Sequence, residues 1–529
     1  MNTIDRRRGL VLGTLCLALF MAMLDNVVVS NALPRISRDL GAGLTGLQWI
    51  MEGYSLVYAA LLLAGGTLGD RFGRRGFFLT GLALFTAGSV VCGSAPGLGV
   101  LVAGRALQGV GAAALTPQSL AILRTTYTGD AERARAIGIW SGVSAMGLAL
   151  GPAIGGPLVS AFGWQSAFWI NIPVGVVALA LGVRVLPAVP GRPRGFDAAG
   201  QLTGALGLAA AVYALVEGPA DGWTSAPVLT AAGLAATCLS AFVVAERRSR
   251  EPMLDLELFT DRVFAGAAAA GFVVSFGMFG ILTYLGLYLQ NVLGWSPAGA
   301  GIASLPSTAT IMFVAPVAGW AAHRFGPRLP LTAGLLCCAV GVGGFRLYGV
   351  GASYAHFWWL LPLFGTGMGL SFSPVSVAVM NRVPVERAGM ASATTNAARE
   401  VGGVAGIAVM GAVITARLGA LLPDRLAAAG VPAPLAGRIT DAVTTSGAQG
   451  LAGAAGTPPA VRAAVAASFT DGLHLAALAA AAFLVIGAVL VATLMRGDVP
   501  ARVPRPAPAP SPAEQLSGSV RQQVAGLRE

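Results

Sequence analysis

Charge in this chain is confined almost entirely to the gaps between long apolar runs, and that pattern constrains the fold more than any single motif does. Fourteen runs lie at 10–33, 46–68, 77–95, 98–123, 137–161, 166–186, 199–217, 226–245, 263–290, 297–321, 329–349, 357–380, 389–416 and 471–495. Their ends are set to within about four residues, and each is close to the ~20 residues that cross a bilayer as a helix. In hydrocarbon the backbone of each run has to satisfy its own hydrogen bonds, so the expected fold class is an all-α membrane protein with 14 transmembrane helices. Only 11% of the 529 residues are charged, against about 25% in soluble proteins.

Arginine sets the topology. All 34 basic residues are arginine; with the N-terminus inside, 25 fall in inner segments and seven in outer ones, leaving Arg105 and Arg399 within spans. The bias places both termini in the cytoplasm. It also accounts for the net charge of +11 without a nucleic-acid partner. Cys16, Cys92, Cys238, Cys337 and Cys338 all fall in apolar spans, so neither a disulfide framework nor a metal site is expected. The first run is too long for a cleavable signal and contains Asp25, so it is read as a span.

The segment Gly66-Thr-Leu-Gly-Asp-Arg-Phe-Gly-Arg-Arg75 joins spans 2 and 3. Its glycines permit a sharp reversal, and Arg71, Arg74 and Arg75 hold it inside. The pattern returns at Gly319–Arg328, where Arg324-Phe325-Gly326 matches Arg71-Phe72-Gly73 at an offset of 253 residues. Span 1 therefore maps onto span 9. The resulting division is an inner N-terminus (1–9), a six-span half (10–186), two inserted spans with linkers (187–262), and a second six-span half (263–495). An outer loop at 417–470, rich in Ala, Gly and Pro, reads as a poorly packed flap. The tail 496–529 reads as disordered, most of all from Val499 onward. Two repeated halves around a midplane site are the mark of a secondary transporter.

Ionisable groups inside spans are costly and point to function. Asp25 is about 22 Å from the inner face, Glu52 about 9 Å and Arg105 about 10 Å from the outer face, and Glu400 near mid-depth. Asp25, Glu52 and Arg105 thus share a depth. Two acids and one base cannot all pair, and a buried carboxyl without a counter-charge tends to hold a proton. Arg105 can pair with Asp25, and Glu52 can reach the outer surface. Glu400 has proton, cation or hydrogen-bonding roles open to it. Arg399 is rotated about 100° from Glu400 and is no simple partner for it. Glu217 and Asp471, near span ends, are read as solvated.

Span 5 carries Gly147, Gly151, Pro152, Gly155 and Gly156, a face of little volume suited to close helix packing. Trp49, Tyr54, Trp140, Tyr284, Tyr288 and Gln290 are candidate cavity residues, with membrane-belt positions as the alternative for the aromatic ones. No Walker A lysine, H-E-x-x-H or nucleophile triad is present.

These segments together resemble the major facilitator superfamily, and more closely its fourteen-span drug:proton antiporters of the EmrB/QacA type. Leu24–Pro34 resembles the first-span motif, whose acid maps to Asp25. Gly66, Asp70, Arg71, Gly73, Arg74 and Arg75 match the inner gating loop, and Leu101–Gly109 the fourth-span motif with its proton-linked arginine at Arg105. Gly147–Gly156 is similar to the span-5 antiporter motif associated with export. Trp164–Gly175 and Tyr288-Leu-Gln290 look like signatures of the fourteen-span group, and Gln48–Tyr54 resembles members with an acid in span 2, at Glu52. The second-half loop departs from the pattern with His323 at the position equivalent to Asp70, and span 10 carries no acid.

The resemblance implies a major facilitator fold of two six-helix halves plus two inserted helices, driven by a proton gradient and needing no cofactor. It implies a plasma-membrane monomer that exports hydrophobic or amphipathic compounds, with small-molecule substrate, protons and the lipid bilayer as its partners. Export of a metabolite, peptide precursor or siderophore is the alternative. A membrane sensor or lipid-modifying enzyme would need a soluble domain or polar catalytic cluster that the sequence does not offer.

Overall fold

The computed structural model describes residues 3–496, apart from 43, 189–190, 192–196, 250–251, 253, 255 and 446–457. The described residues are helical, with no strand among them. The N-terminal half comprises α1 (Thr3–Leu40), α2 (Leu44–Phe72), α3 (Arg74–Gly93), α4 (Leu98–Thr126), α5 (Asp130–Phe162) and α6 (Asn171–Val185). The inserted pair is α7 (Ala198–Asp221) and α8 (Ala226–Arg248). The C-terminal half contains α9 (Arg262–Leu287), α10 (Leu305–Phe325), α11 (Arg328–Gly343), α12 (Leu360–Arg382), α13 (Ala388–Ala428) and, after the short helix α14 (Ala433–Thr445), α15 (Pro459–Leu494).

Thirteen helices among the described residues are long and apolar enough to cross a membrane. They coincide with thirteen of the expected spans; the remaining one, span 5, is the 33-residue α5. The repeat is visible in the backbone as well. Gly73 and Gly326 occupy equivalent loop positions with φ of 102° and 80°, a conformation glycine adopts without steric cost. Gly73 leads directly into the arginine-led helix α3, and Gly326 leads through Pro327 into the arginine-led helix α11.

The halves meet through α2 and α4 on α13, and α5 on α10 and α12. Glycine makes the closest approaches possible. A Cβ on Gly66 would lie 2.5 Å from that of Ala393, and one on Gly138 would lie 2.6 Å from Pro316 Cα. Within the N-terminal half, Cβ atoms on Gly147, Gly151 and Gly155 would each run into α1, at Phe20, Val27 and Val28. The span-5 glycine face is thus the seat of α1, while Gly156 is only partly buried. The helix continues through Pro152, whose side chain lies outside the described ones. The inserted pair joins through α7, which packs on α2 and α13; α8 packs on α7 and exposes Leu229, Leu234, Val243 and Val244.

The outer loop differs from the expected flap. Helix α13 runs on to Ala428, α14 packs against it, and α15 begins at Pro459, so the described parts of 417–470 are ordered helix. Leu422 and Leu426 are fully buried there, with Ala436 and Val443 of α14. Alanine is a strong helix former, and that propensity dominates the segment. The tail beyond 496 lies outside the described residues.

Candidate functional site

Asp25 on α1 and Arg105 on α4 are both fully buried, and Arg105 Nη1 donates to Asp25 Oδ2 at 2.5 Å. The pair is embedded in a larger network. Asp25 Oδ1 also accepts from Asn171 Nδ2 on α6 at 2.6 Å and Gln108 Nε2 at 3.1 Å. Ser89 on α3 accepts from both amides. Arg105 donates further to Ile50 O at 3.0 Å, Gln108 Oε1 at 2.9 Å and Asn26 Oδ1 at 3.2 Å. Its guanidinium lies 4.5 Å from the centroid of the Tyr54 ring, which stacks on Tyr58. Five helices therefore contribute to one network around the Asp25 carboxylate, with α4 and α6 donating to it directly.

Such a site has a definite chemistry. Three donors converge on Asp25, and hydrogen bonds to an ionised acceptor are roughly twice as strong as neutral ones. Arg105 cannot deprotonate in a protein. A proton arriving on Asp25 would remove the anion facing Arg105 and force the network to rearrange, because an unpaired buried charge costs about 3–5 kcal/mol.

Glu52 takes no part in this network. Its side chain hydrogen-bonds Glu217 of the inserted helix α7. Glu217 is buried at 8% exposure, against the expectation that it is solvated. Its position near a span end hid the fact that α7 packs on α2.

At the end of the bundle that carries the α2–α3 loop, Asp70 and Arg74 act across the two halves. Arg74 Nε donates to Asp70 Oδ1 at 2.8 Å, and its Nη2 donates to Val385 O of the other half. Asp70 Oδ2 accepts from Met390 N at 3.2 Å, and Gly389 N also donates to that carboxyl. Those amides belong to the first turn of α13, so Asp70 caps a helix N-terminus of the opposite half, where a negative charge is favoured. Arg133 Nη2 adds a bond to Asn381 Oδ1 at 2.7 Å. Arg71 lies over Phe72, and Arg75 donates to Val183 O of its own half.

Glu400 and Arg399 stand on α13 near mid-span, both partly exposed. Their helix packs on α2, which carries Tyr54 and Tyr58. Of the aromatic candidates, Tyr54 joins the Arg105 network, and Trp49 is partly exposed on α2. Trp140 is buried and donates to Ser119 of α4. Tyr284 donates to Ile407 O on α13. Tyr288 and Gln290 sit in a π-helical turn at the end of α9, bonded to Gly349 O and Gly286 O. The structure does not bring Trp140, Tyr288 or Gln290 to the acid–base network. Asn171, Gln108 and Glu217 are the site residues that sequence reasoning passed over.

Comparison with known proteins places this architecture. The family model "Major Facilitator Superfamily" matches residues 15–407. Among curated relatives, the multidrug resistance protein Stp of Mycobacterium tuberculosis is 40% identical over 82% of this chain and 80% of its own. The drug efflux pump JefA of the same species is 36% identical over 92% and 97%. The tetracenomycin C resistance and export protein of Streptomyces glaucescens is 34% identical over 92% and 91%. The solved human organic anion transporter MFSD10 superposes with a TM-score of 0.59 at 16% identity, covering 93% of this chain and 100% of that one. A bacterial homolog of the lysosomal transporter Spinster gives 0.58 at 20% identity, covering 92% and 97%. The repeated halves, the shared inner-loop geometry and these matches carry one conclusion: the chain belongs to the Major Facilitator Superfamily and is a multi-pass membrane protein.

Proposed function

We propose that this chain is a proton-coupled exporter of hydrophobic or amphipathic drug-like compounds, working by alternating access in the plasma membrane with both termini in the cytoplasm. The relatives above are named for drug resistance and drug export. The observation that carries the coupling is the sealed Asp25–Arg105 pair, an acid and a fixed cation with no exposure in the interior of the half. In this reading the protein works as a monomer, and Asp25 alternates between Arg105 and a proton. Protonation loosens the contacts of α1 with α4 and α6, and the halves rock. The Asp70 cap on α13 holds the inner side shut during part of the cycle. Glu52 with Glu217, and Glu400, are further proton positions. One pH unit supplies about 1.4 kcal/mol per proton and 100 mV about 2.3 kcal/mol per charge, enough to drive a hydrophobic compound uphill.

Reconstitution in liposomes with an imposed pH gradient tests this. The expected result is uphill ethidium or tetracenomycin C movement that collapses with a protonophore and is lost in Asp25→Asn. Substrate movement indifferent to the proton gradient would overturn the coupling.

A further inference from the structure

Arg399 is a membrane-buried cation whose contacts leave it without an anion. Its Nη2 donates to two neutral acceptors on α12, Phe372 O at 3.1 Å and Ser376 Oγ at 3.1 Å. Its guanidinium lies 4.8 Å from the centroid of the Phe372 ring. Nε is buried with no hydrogen-bond partner. Among the described residues Nη1 makes no hydrogen bond, and no carboxylate stands within ion-pair distance of Arg399. Glu400 is its chain neighbour but makes no hydrogen bond or ion pair among the described residues either.

An arginine inside a membrane span is expensive and is normally paired or faces a water-filled space. Arg399 makes no ion pair among the described residues. It is partly exposed although α12, α9 and its own helix surround it, and α13 packs on α2 and α4 of the opposite half. On α9 it rests against Gly271, where a Cβ would come 3.4 Å from its Cγ. Beside Gly271 begins an aromatic wall: Phe272, Phe276 and Phe483 have ring centroids 4.4 to 6.4 Å apart. Nη2 is anchored through both of its N–H groups and Nε is sealed, so Nη1 is the nitrogen left for an incoming oxygen.

We propose that Arg399 is the anion-recognition residue of the substrate cavity, and that the favoured substrates are flat apolar molecules carrying one acidic oxygen group, such as a carboxylate or a phenolate. The proposal rests on the export reading above, since it names the substrate class of that same cavity. Nη1 can donate a charge-assisted hydrogen bond to an acidic oxygen, and the Phe372 ring beside the guanidinium offers an apolar face to the body of the molecule. The substrate then supplies the anion that the protein withholds.

Three pyrene probes that differ only in their head group test the idea on the full chain purified in detergent: pyrenebutyrate, pyrenebutanol and a pyrenebutyl-trimethylammonium salt. Binding is read by fluorescence for the parent protein, Arg399→Gln and Arg399→Lys. In the parent, pyrenebutyrate should bind more tightly than the other two. Arg399→Gln should weaken pyrenebutyrate about tenfold or more, the value of a charge-assisted contact, and leave pyrenebutanol within about twofold. Arg399→Lys should recover part of the loss. Equal weakening of all three probes in Arg399→Gln would show a packing role and overturn the proposal, as would unchanged pyrenebutyrate binding. Excess phosphatidylglycerol should not displace pyrenebutyrate; displacement would assign the site to a lipid headgroup and also overturn it. Binding requires no proton gradient, so head-group selectivity in a protein that fails the liposome assay would sink the export reading and leave this one standing. The converse result would do the reverse.

Discussion

Two arginines lie inside membrane spans, and the fold treats them in opposite ways. Arg105 in the N-terminal half has an acid, two side-chain amides, a backbone carbonyl and an aromatic face around it, with no exposure. Arg399 in the C-terminal half has a hydroxyl, a carbonyl and one ring, and remains partly exposed. A saturated cation defines a state of the protein, because disturbing it costs several kcal/mol. An unsaturated one beside an open space leaves its field for something that arrives. On the two proposals above, the N-terminal half acts as the switch and the C-terminal half as the receiving wall.

The contrast breaks most severely at Asp25. Asp25→Asn leaves Arg105 with neutral acceptors only, so it should destabilise the fold by about 3–5 kcal/mol as well as abolish coupling. A paired variant, Asp25→Asn with Arg105→Gln, removes both charges and should recover most of the thermal stability in detergent. It should still move no substrate uphill. Recovered stability together with recovered coupling would show that the pair is structural. The same melting experiment on Asn171→Leu should give a smaller loss, about 1.5–3 kcal/mol, the value of a hydrogen bond to a charged group. No measurable loss would mean that Asn171 is not needed to hold the carboxylate.

How far the site could be read from the chain depends on what each residue costs in hydrocarbon. Asp25 and Arg105 stand out in any apolar run, and their shared depth foretold their pairing. Asn171 and Gln108 are neutral, and an uncharged amide in a run that reads V, A, L and G carries no comparable signal. Both fall inside quoted motifs yet were assigned no role. Glu52 and Glu217 failed for another reason. Depth along one helix says nothing about azimuth, and Glu52 faces α7 rather than α1. The fold was legible because hydropathy is local. The outer segment misread as a flap lacked long aliphatic runs, yet its alanines make helix and bury Leu422 and Leu426.

The inner loops sharpen the comparison at lower energy. The N-terminal loop reaches across the divide with Asp70 and Arg74; the equivalent C-terminal loop has His323 and Arg324, with no acid. Asp70→Asn keeps the shape and removes the charge at the first turn of α13, a change of about 1 kcal/mol at the cap, to which is added the loss of the anion facing the buried Arg74. It should weaken the inner closure, slow turnover and leave equilibrium drug binding close to the parent. A tenfold or greater loss of binding affinity in the folded variant would argue that the loop contributes to the cavity itself.

The smallest effect is expected at the outer surface, where a charge pair resembles Asp25–Arg105 in chemistry and differs in setting. Arg425 on α13 donates to Asp471 and, at 3.2 Å, to Ser468, both on α15. The side chains of Arg425 and Asp471 remain 33% and 40% exposed. Water screens such a pair, and ordering two side chains offsets much of its attraction, so its worth is about 0–1 kcal/mol. Arg425→Ala should therefore melt within about that margin of the parent and export normally. Whatever difference remains should shrink further as salt is raised, since exposed charges are screened over about 8 Å at physiological ionic strength. The identical chemistry at Asp25 should show no such salt dependence, because no water reaches it. If Arg425→Ala instead abolished export in a stably inserted protein, the α13–α14–α15 cap would have to move with the cycle, and the division into a switching half and a receiving half would fail at the outer surface.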